Sequence, residues 1–95
     1  MRKYEGVFII DPQLSEDEQK KKTQVIQEAI KKLDGQVDGV EPWGKRKLAY
    51  RINKKNEGAY YLMRFQIASD AIAKLYKAYR LDDSILRVMI VNSGG

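Results

Sequence analysis

The sequence predicts an α+β domain in the order β-α-β-β-α-β, a four-stranded antiparallel sheet with both helices on one face. Three observations predict it. Four stretches carry apolar residues at the strand period of two, two stretches repeat them at helical spacing, and turn residues separate the six. A chain of 95 residues fits one domain, 1–95, with 92–95 as a frayed end.

Lys3 to Ile10 reads as the first strand, with Tyr4, Phe8 and Ile10 on one face and Glu5, Val7 and Ile9 on the other. Asp11-Pro12 stops it. Ser15-Glu16-Asp17-Glu18 is a capping box: the Ser hydroxyl accepts from the backbone three residues on, and Glu18 reaches back. The helix then runs from about Glu16 to Leu33, with Lys22, Val25, Ile26, Ala29, Ile30 and Leu33 as its inner stripe and Gly35 as its stop. Gln36 to Ile52 is a long strand, and Pro42, which cannot donate to a ladder, marks it as a bent edge strand. Asn53 to Gly58 is a polar turn, and Ala59 to Ile67 returns as strand three. There Tyr61, Met63, Phe65 and Ile67 share one face, and Tyr60, Leu62, Arg64 and Gln66 the other. Ser69 with Asp70 starts a second helix carrying Ile72, Leu75, Tyr76 and Tyr79 to about Leu81. After Asp82-Asp83-Ser84, Ile85 to Asn92 is strand four, with Val88 and Ile90 opposite Arg87, Met89 and Val91.

This is the split βαβ, or ferredoxin-like, order. Right-handed crossovers put strands one and three in the centre and strands two and four at the edges. With both helices on one face, the other is open. It carries Glu5, Val7, Ile9, Ala49, Leu62, Met89 and Val91 beside Lys3, Tyr60, Arg64 and Arg87.

The stretch Trp43 to Ile52 is the most informative. Leu48, Tyr50 and Ile52 alternate with Lys47, Ala49 and Arg51, so one face is apolar and the other mostly basic; this phase predicts Tyr50 in the core. Lys45, Arg46, Lys47, Arg51, Lys54 and Lys55 fall together with no acid before Glu57. That density suits a polyanion, and it also guards an exposed edge against stray pairing.

Lys and Arg number 18 against 13 Asp and Glu, a net charge of +5 that favours an anionic partner. With no cysteine there is no disulfide framework or thiolate chemistry, and with no histidine the commonest general base and metal ligand are missing. No apolar run reaches the length of a membrane span, and the short one near the start is no secretory signal, so the expected compartment is the cytosol.

No phosphate loop, dinucleotide-binding glycine motif, nucleophile elbow or zinc-protease motif occurs. A small acylphosphatase of this architecture requires a glycine-rich anion loop ending in arginine after strand one; Asp11-Pro12-Gln13-Leu14-Ser15 stands there instead. An RNA-recognition module stacks bases on aromatics of strands one and three. Here Val7, Ile9 and Leu62 hold such places and only Tyr60 faces outward. The open face is aliphatic and suits protein contact.

Met1-Arg2-Lys3-Tyr4-Glu5, Gly44-Lys45-Arg46-Lys47-Leu48-Ala49-Tyr50, Gly58-Ala59-Tyr60-Tyr61 and Ile85-Leu86-Arg87-Val88-Met89 together resemble the bacterial small-subunit ribosomal protein six family, in order and spacing across nearly the whole chain. Arg51 departs from the proline or lysine common there, which suggests strand two pairs further along its length. The resemblance implies the fold reached above, and binding to the central domain of 16S ribosomal RNA as a pair with small-subunit protein eighteen. It implies no catalysis, cofactor, metal, small-molecule substrate or membrane. Other ferredoxin-like RNA- or protein-binding modules are the alternative.

On this basis Arg2, Lys3, Tyr4, Lys45, Lys54, Lys55 and Arg87 are the candidate RNA contacts. Arg2, Lys3 and Arg87 are expected to converge because their strands are neighbours, and Tyr4 also has a core reading from its phase with Phe8 and Ile10. Glu41, Arg46, Lys47, Ala49 and Arg51, along the strand-two edge, are the candidate contacts to the protein partner.

Overall fold

The computed structural model describes residues 1–52 and 54–93. Its elements are β1 (Arg2–Ile10), α1 (Glu16–Lys32), β2 (Gln36–Ile52), β3 (Lys55–Ile67), a 3-10 turn (Ser69–Ala71), α2 (Ile72–Arg80) and β4 (Ile85–Asn92). The four strands form one sheet in the order β2-β3-β1-β4, every adjacent pair antiparallel. This is the expected fold, with β1 and β3 central.

The core lies between the sheet and both helices. Tyr4, Phe8 and Ile10 of β1 and Met63, Phe65 and Ile67 of β3 meet Ile26 and Ile30 of α1 and Leu75 and Tyr79 of α2. Phe8 and Tyr79 meet edge to face, with centroids 5.2 Å apart, and the Tyr79 hydroxyl donates to the Ile26 carbonyl at 2.8 Å. That one tyrosine therefore ties α2 to both β1 and α1, and burial raises its pKa. Gly6 is small because the rings of Phe8 and Phe65 crowd it; a Cβ there would meet Phe8 Cε1 at 2.7 Å.

Local signals at α1 hold in detail. Ser15 Oγ accepts from the Glu18 backbone at 3.2 Å, and Glu18 Oε1 accepts from the Ser15 backbone at 3.0 Å. Two stripe positions differ. Val25 is 51% exposed, and Thr23 is buried instead, its hydroxyl satisfied by the Lys20 carbonyl at 2.6 Å. Lys22 reaches the α2–β4 turn, where its ammonium lies 2.5 Å from Asp82. The second helix opens with a 3-10 turn, and neither Ser69 nor Asp70 makes a side-chain cap.

The β2–β3 hairpin is longer than expected. β3 begins at Lys55 rather than Ala59, and Lys54 adopts a left-handed conformation at φ 65° in the tight turn; Asn53 lies outside the described residues. At the other end of the chain Asn92 belongs to β4, and the Ser93 N–H donates to the Lys3 carbonyl at 3.0 Å; Gly94 and Gly95 lie outside the described residues.

Register explains the remaining differences. β2 slips against β3 between Val37 and Gly39, between Pro42 and Gly44, and between Lys47 and Ile52. The first two slips insert one residue each, and each inverts which face the following side chains use. After the second slip Gly44 opposes Tyr60 and Arg46 opposes Gly58. Directly opposed residues share a face, so the even-numbered positions of the distal half, Leu48 and Tyr50 among them, turn to the open face. The core assignment of Tyr50 is therefore wrong: the residue is 61% exposed. β2 does pair beyond Arg51, at Ile52 with Lys55, but across a wide irregularity in which four residues, 48–51, stand against Asn56 alone.

Candidate functional site

The distal arm of β2 crosses the end of the open face. Leu48, Tyr50 and Ile52 line a depression of about 270 Å³ with Ile9 of β1, Tyr60 of β3, and Arg87 and Met89 of β4. Ile9 is only 3% exposed although it points away from the helices. A Cβ on Gly58 would lie 2.2 Å from Ile9 Cγ2 and 3.5 Å from Leu48 Cδ2, so these groups already fill the space above that glycine. The arm makes a small second core on the open side, and Gly58 permits it.

Arg87 completes this cover. Its Nη1 donates to the Tyr50 hydroxyl, and its guanidinium carbon lies 5.7 Å from the Tyr50 ring centroid. At the bulge, Arg46 stands 5.4 Å from the Trp43 ring, and Gly44 supplies the left-handed conformation, φ 83°, that the bend requires. Trp43 turns to the open face as well, where it joins Glu5, Val7, Leu62, Met89 and Val91 around an apolar groove of about 330 Å³. Sequence reasoning placed the aliphatic members of this groove but gave Trp43 no role. Its only signal was its position between Pro42 and Gly44, where a bulge re-aims a side chain.

The candidate residues fall into two groups. Lys45, Lys54 and Lys55 come together around a polar cleft of about 270 Å³ with Gln13, Asn56 and Glu57. Lys55 is partly engaged, donating to Gln13 Oε1 at 2.8 Å with Asp11 Oδ2 at 3.7 Å. Arg87 pairs with Ile9 near the same end of the sheet, since Ile10 pairs with Ala59 and Lys45 pairs with that same alanine.

Arg2 and Lys3 are at the other end. They oppose Ile67 and Gln66, and Tyr4 opposes Asn92. The expected convergence of Arg2, Lys3 and Arg87 is overturned by this register. Seven residues of strand separate Arg2 from Ile9, about 24 Å at ~3.4 Å per residue. Asp38 lies near Lys3, its carboxyl held below its usual pKa first by the Gln66 amide, then by that of Gln36, with a smaller contribution from the Lys3 charge. Tyr4 is a core residue, 8% exposed and stacked on Phe65 with centroids 5.9 Å apart, so its ring is closed to a base.

Along the β2 edge, Glu41 is held by Arg64 at 3.3 Å, and Arg64 also approaches Glu5 at 3.8 Å. Arg46 and Lys47 oppose Gly58 and Glu57, while Arg51 donates to the Lys54 carbonyl at 3.3 Å. Ala49 is exposed on the arm beside Tyr50 and lines the same open-face depression. The opposite edge is better closed, because the Tyr76 hydroxyl accepts the Ile90 N–H at 2.8 Å. Among the described residues no helix is long and apolar enough to cross a membrane, and no cluster of three metal-ligating side chains occurs.

Comparison with known proteins agrees with the fold. Residues 3–92 match the family model described as Ribosomal protein S6. The small ribosomal subunit protein bS6 of Trichlorobacter lovleyi is 42% identical over 92 residues, spanning 97% of this chain and 75% of that protein. That of Clostridium novyi is 41% identical over 92 residues and 97% of both. A crystal structure of 30S ribosomal protein S6 from Thermotoga maritima superposes with a TM-score of 0.88 at 34% identity, covering 96% of this chain and 86% of that one.

Proposed function

This chain belongs to the ribosomal protein S6 family, and on that premise we propose that it binds the central domain of 16S ribosomal RNA as a pair with small-subunit protein eighteen. Membership makes it a structural constituent of the small ribosomal subunit, and not an enzyme. The observation that carries the RNA reading is the run from Pro42 to Asn56, which holds six cations and no acid and leaves the regular sheet edge. Phosphate contacts by such side chains supply affinity, and RNA shape supplies selectivity.

The geometry supports two separate RNA contacts. One is the cleft of Lys45, Lys54 and Lys55 with Arg87 near the same end; the other is Arg2 with Lys3. Protein eighteen is assigned the β2 edge, through Glu41, Arg46, Lys47, Ala49 and Arg51. Its contact extends onto the apolar groove around Trp43, whose mix of large apolar groups and few charges suits a protein partner.

The test is a salt titration of the protein pair on a central-domain RNA fragment. Arg2→Ala and Arg87→Ala should each lower affinity and each flatten the log–log salt slope, by about 0.7–0.9 for every phosphate that is no longer neutralised. Being far apart, their effects should add in the double variant. Wild-type protein that neither retains this RNA nor captures protein eighteen would refute the reading.

A further inference from the structure

We propose that Tyr50 is a stacking site for an unpaired RNA base, held ready by Arg87. This rests on the RNA-binding reading and deepens it, by naming single-stranded nucleotide as the ligand of one particular side chain.

The argument begins with exposure. A tyrosine in a strand of alternating apolar residues is ordinarily covered, yet 61% of Tyr50 is open to solvent. The ring is nevertheless constrained. Its hydroxyl accepts from Arg87 Nη1, the Arg87 cation lies 5.7 Å from its centroid, and its neighbours Leu48 and Ile52 pack with Ile9 and Tyr60. An ordered aromatic surface loses little freedom on binding, which is the condition for a useful stacking platform.

Charge selects the ligand. Between Glu41 and Glu57 the chain has no acid, and β4 has none from Ile85 to Asn92. The cation on the Tyr50 ring is Arg87 from across the sheet, and Arg51, next to it in sequence, turns its guanidinium to the Lys54 carbonyl. Interfaces between proteins are depleted of charge at their centres, whereas single-stranded nucleic acid is held by aromatic faces set among cations. The lining differs on the same sheet face: the charged member of the groove around Trp43 is the acid Glu5, although Arg46 stands 5.4 Å from that ring, whereas the charged member of the depression around Tyr50 is the cation Arg87. Tyr50 thus fits RNA where Trp43 fits protein. Bases in loops and bulges are free to stack in this way, while those in a duplex are not.

Tyr50→Leu and Tyr50→Gln remove the ring without changing charge, and having two such variants guards against a folding defect in one. Tyr50→Phe keeps the ring. Each full-length variant is titrated onto a central-domain 16S fragment with unpaired loops and onto a fully paired duplex of equal length, and its capture of protein eighteen is measured in parallel. Losing the ring should weaken binding to the looped fragment by roughly 5- to 100-fold. Duplex binding and the salt slope should stay as in the wild type, and Tyr50→Phe, which keeps the ring and loses only the hydroxyl that Arg87 holds, should keep most of the looped-fragment affinity that the ring-less variants lose. Unchanged binding by both ring-less variants would overturn the proposal, as would equal losses on loop and duplex. Loss of protein capture with RNA binding intact would instead make Tyr50 a protein contact. Failure of the wild type to bind either RNA would refute the underlying RNA reading, a result distinct from all of these.

Discussion

Tyr50 and Arg87 stand on the two outer strands of the sheet, yet the Arg87 guanidinium donates to the Tyr50 hydroxyl. Three strand spacings of about 4.8 Å separate such strands in a flat sheet, about 14 Å. The contact is made because the slips in β2 aim its distal arm over the open face, and because both side chains are long. The basic arm and β4 thereby become one surface.

Because Tyr50 is exposed, Tyr50→Ala should change the stability of the free protein by less than about 1 kcal/mol. Phe8→Ala, by contrast, should cost about 3–5 kcal/mol, since Phe8 is fully buried. Denaturant melts of the two variants side by side check this. A large loss for Tyr50→Ala would return that ring to the core.

Gly58→Ala is expected to destabilise by about 1–3 kcal/mol through overpacking. Its Cβ would sit 2.2 Å from Ile9 Cγ2 in a space the arm has already closed. Combining it with Ile9→Ala should cost less than the two changes added, since the small residue makes room. Strict additivity in the thermal melts would contradict the close approach.

Gly44 meets nothing within 4 Å, so Ala fits there sterically, but its φ of 83° does not suit an L residue. Gly44→Ala should therefore cost about 1–2 kcal/mol as backbone strain alone. Gly44→Asn, which tolerates the left-handed region better, should recover part of that. Equal stability of all three would show that the bend relaxes to an ordinary conformation.

Asp82 gives the fold a pH dependence. Burial raises its pKa, but hydrogen bonds from Lys22 and Ser84 together with the Lys22 charge lower it more, so the net shift is downward. A carboxyl depressed in the folded state contributes stability that is whole above its unfolded pKa, near ~3.9, and is lost as pH falls through the folded value. Asp82→Asn should therefore be less stable than the wild type at pH 7 by about 0.5–1 kcal/mol. That gap should close as pH falls below about 4. Melting both proteins from pH 7 to pH 2 tests it, and a gap that does not change with pH would rule out this pair as the source.

Several features were legible in the residues because they depend on near neighbours. The Ser15–Glu18 box, the Ile26–Ile30 stripe and the split of β3 into Met63-Phe65-Ile67 and Tyr60-Leu62-Arg64 need only a local period and a few side chains within reach. The separation of Arg2 from Arg87 was also within reach of sequence reasoning. Antiparallel neighbours lay the start of one strand beside the end of the other, so an early residue of β4 must lie by the end of β1.

What the sequence by itself determined was the order of elements, the inner faces of β1, β3 and β4, and the concentration of cations between Trp43 and Lys55. These follow from periodicity and composition, which each segment carries within itself. Only the tertiary structure decided which way Leu48 and Tyr50 point, that Trp43 joins the open face, that Gly58 must stay small, and that Arg87 meets Tyr50. The physical reason is the period of two: a single extra residue at Pro42–Gly44 turns every later side chain of the arm over. Where that residue is inserted is settled by pairing with β3 across the hairpin, not by the arm's own alternation.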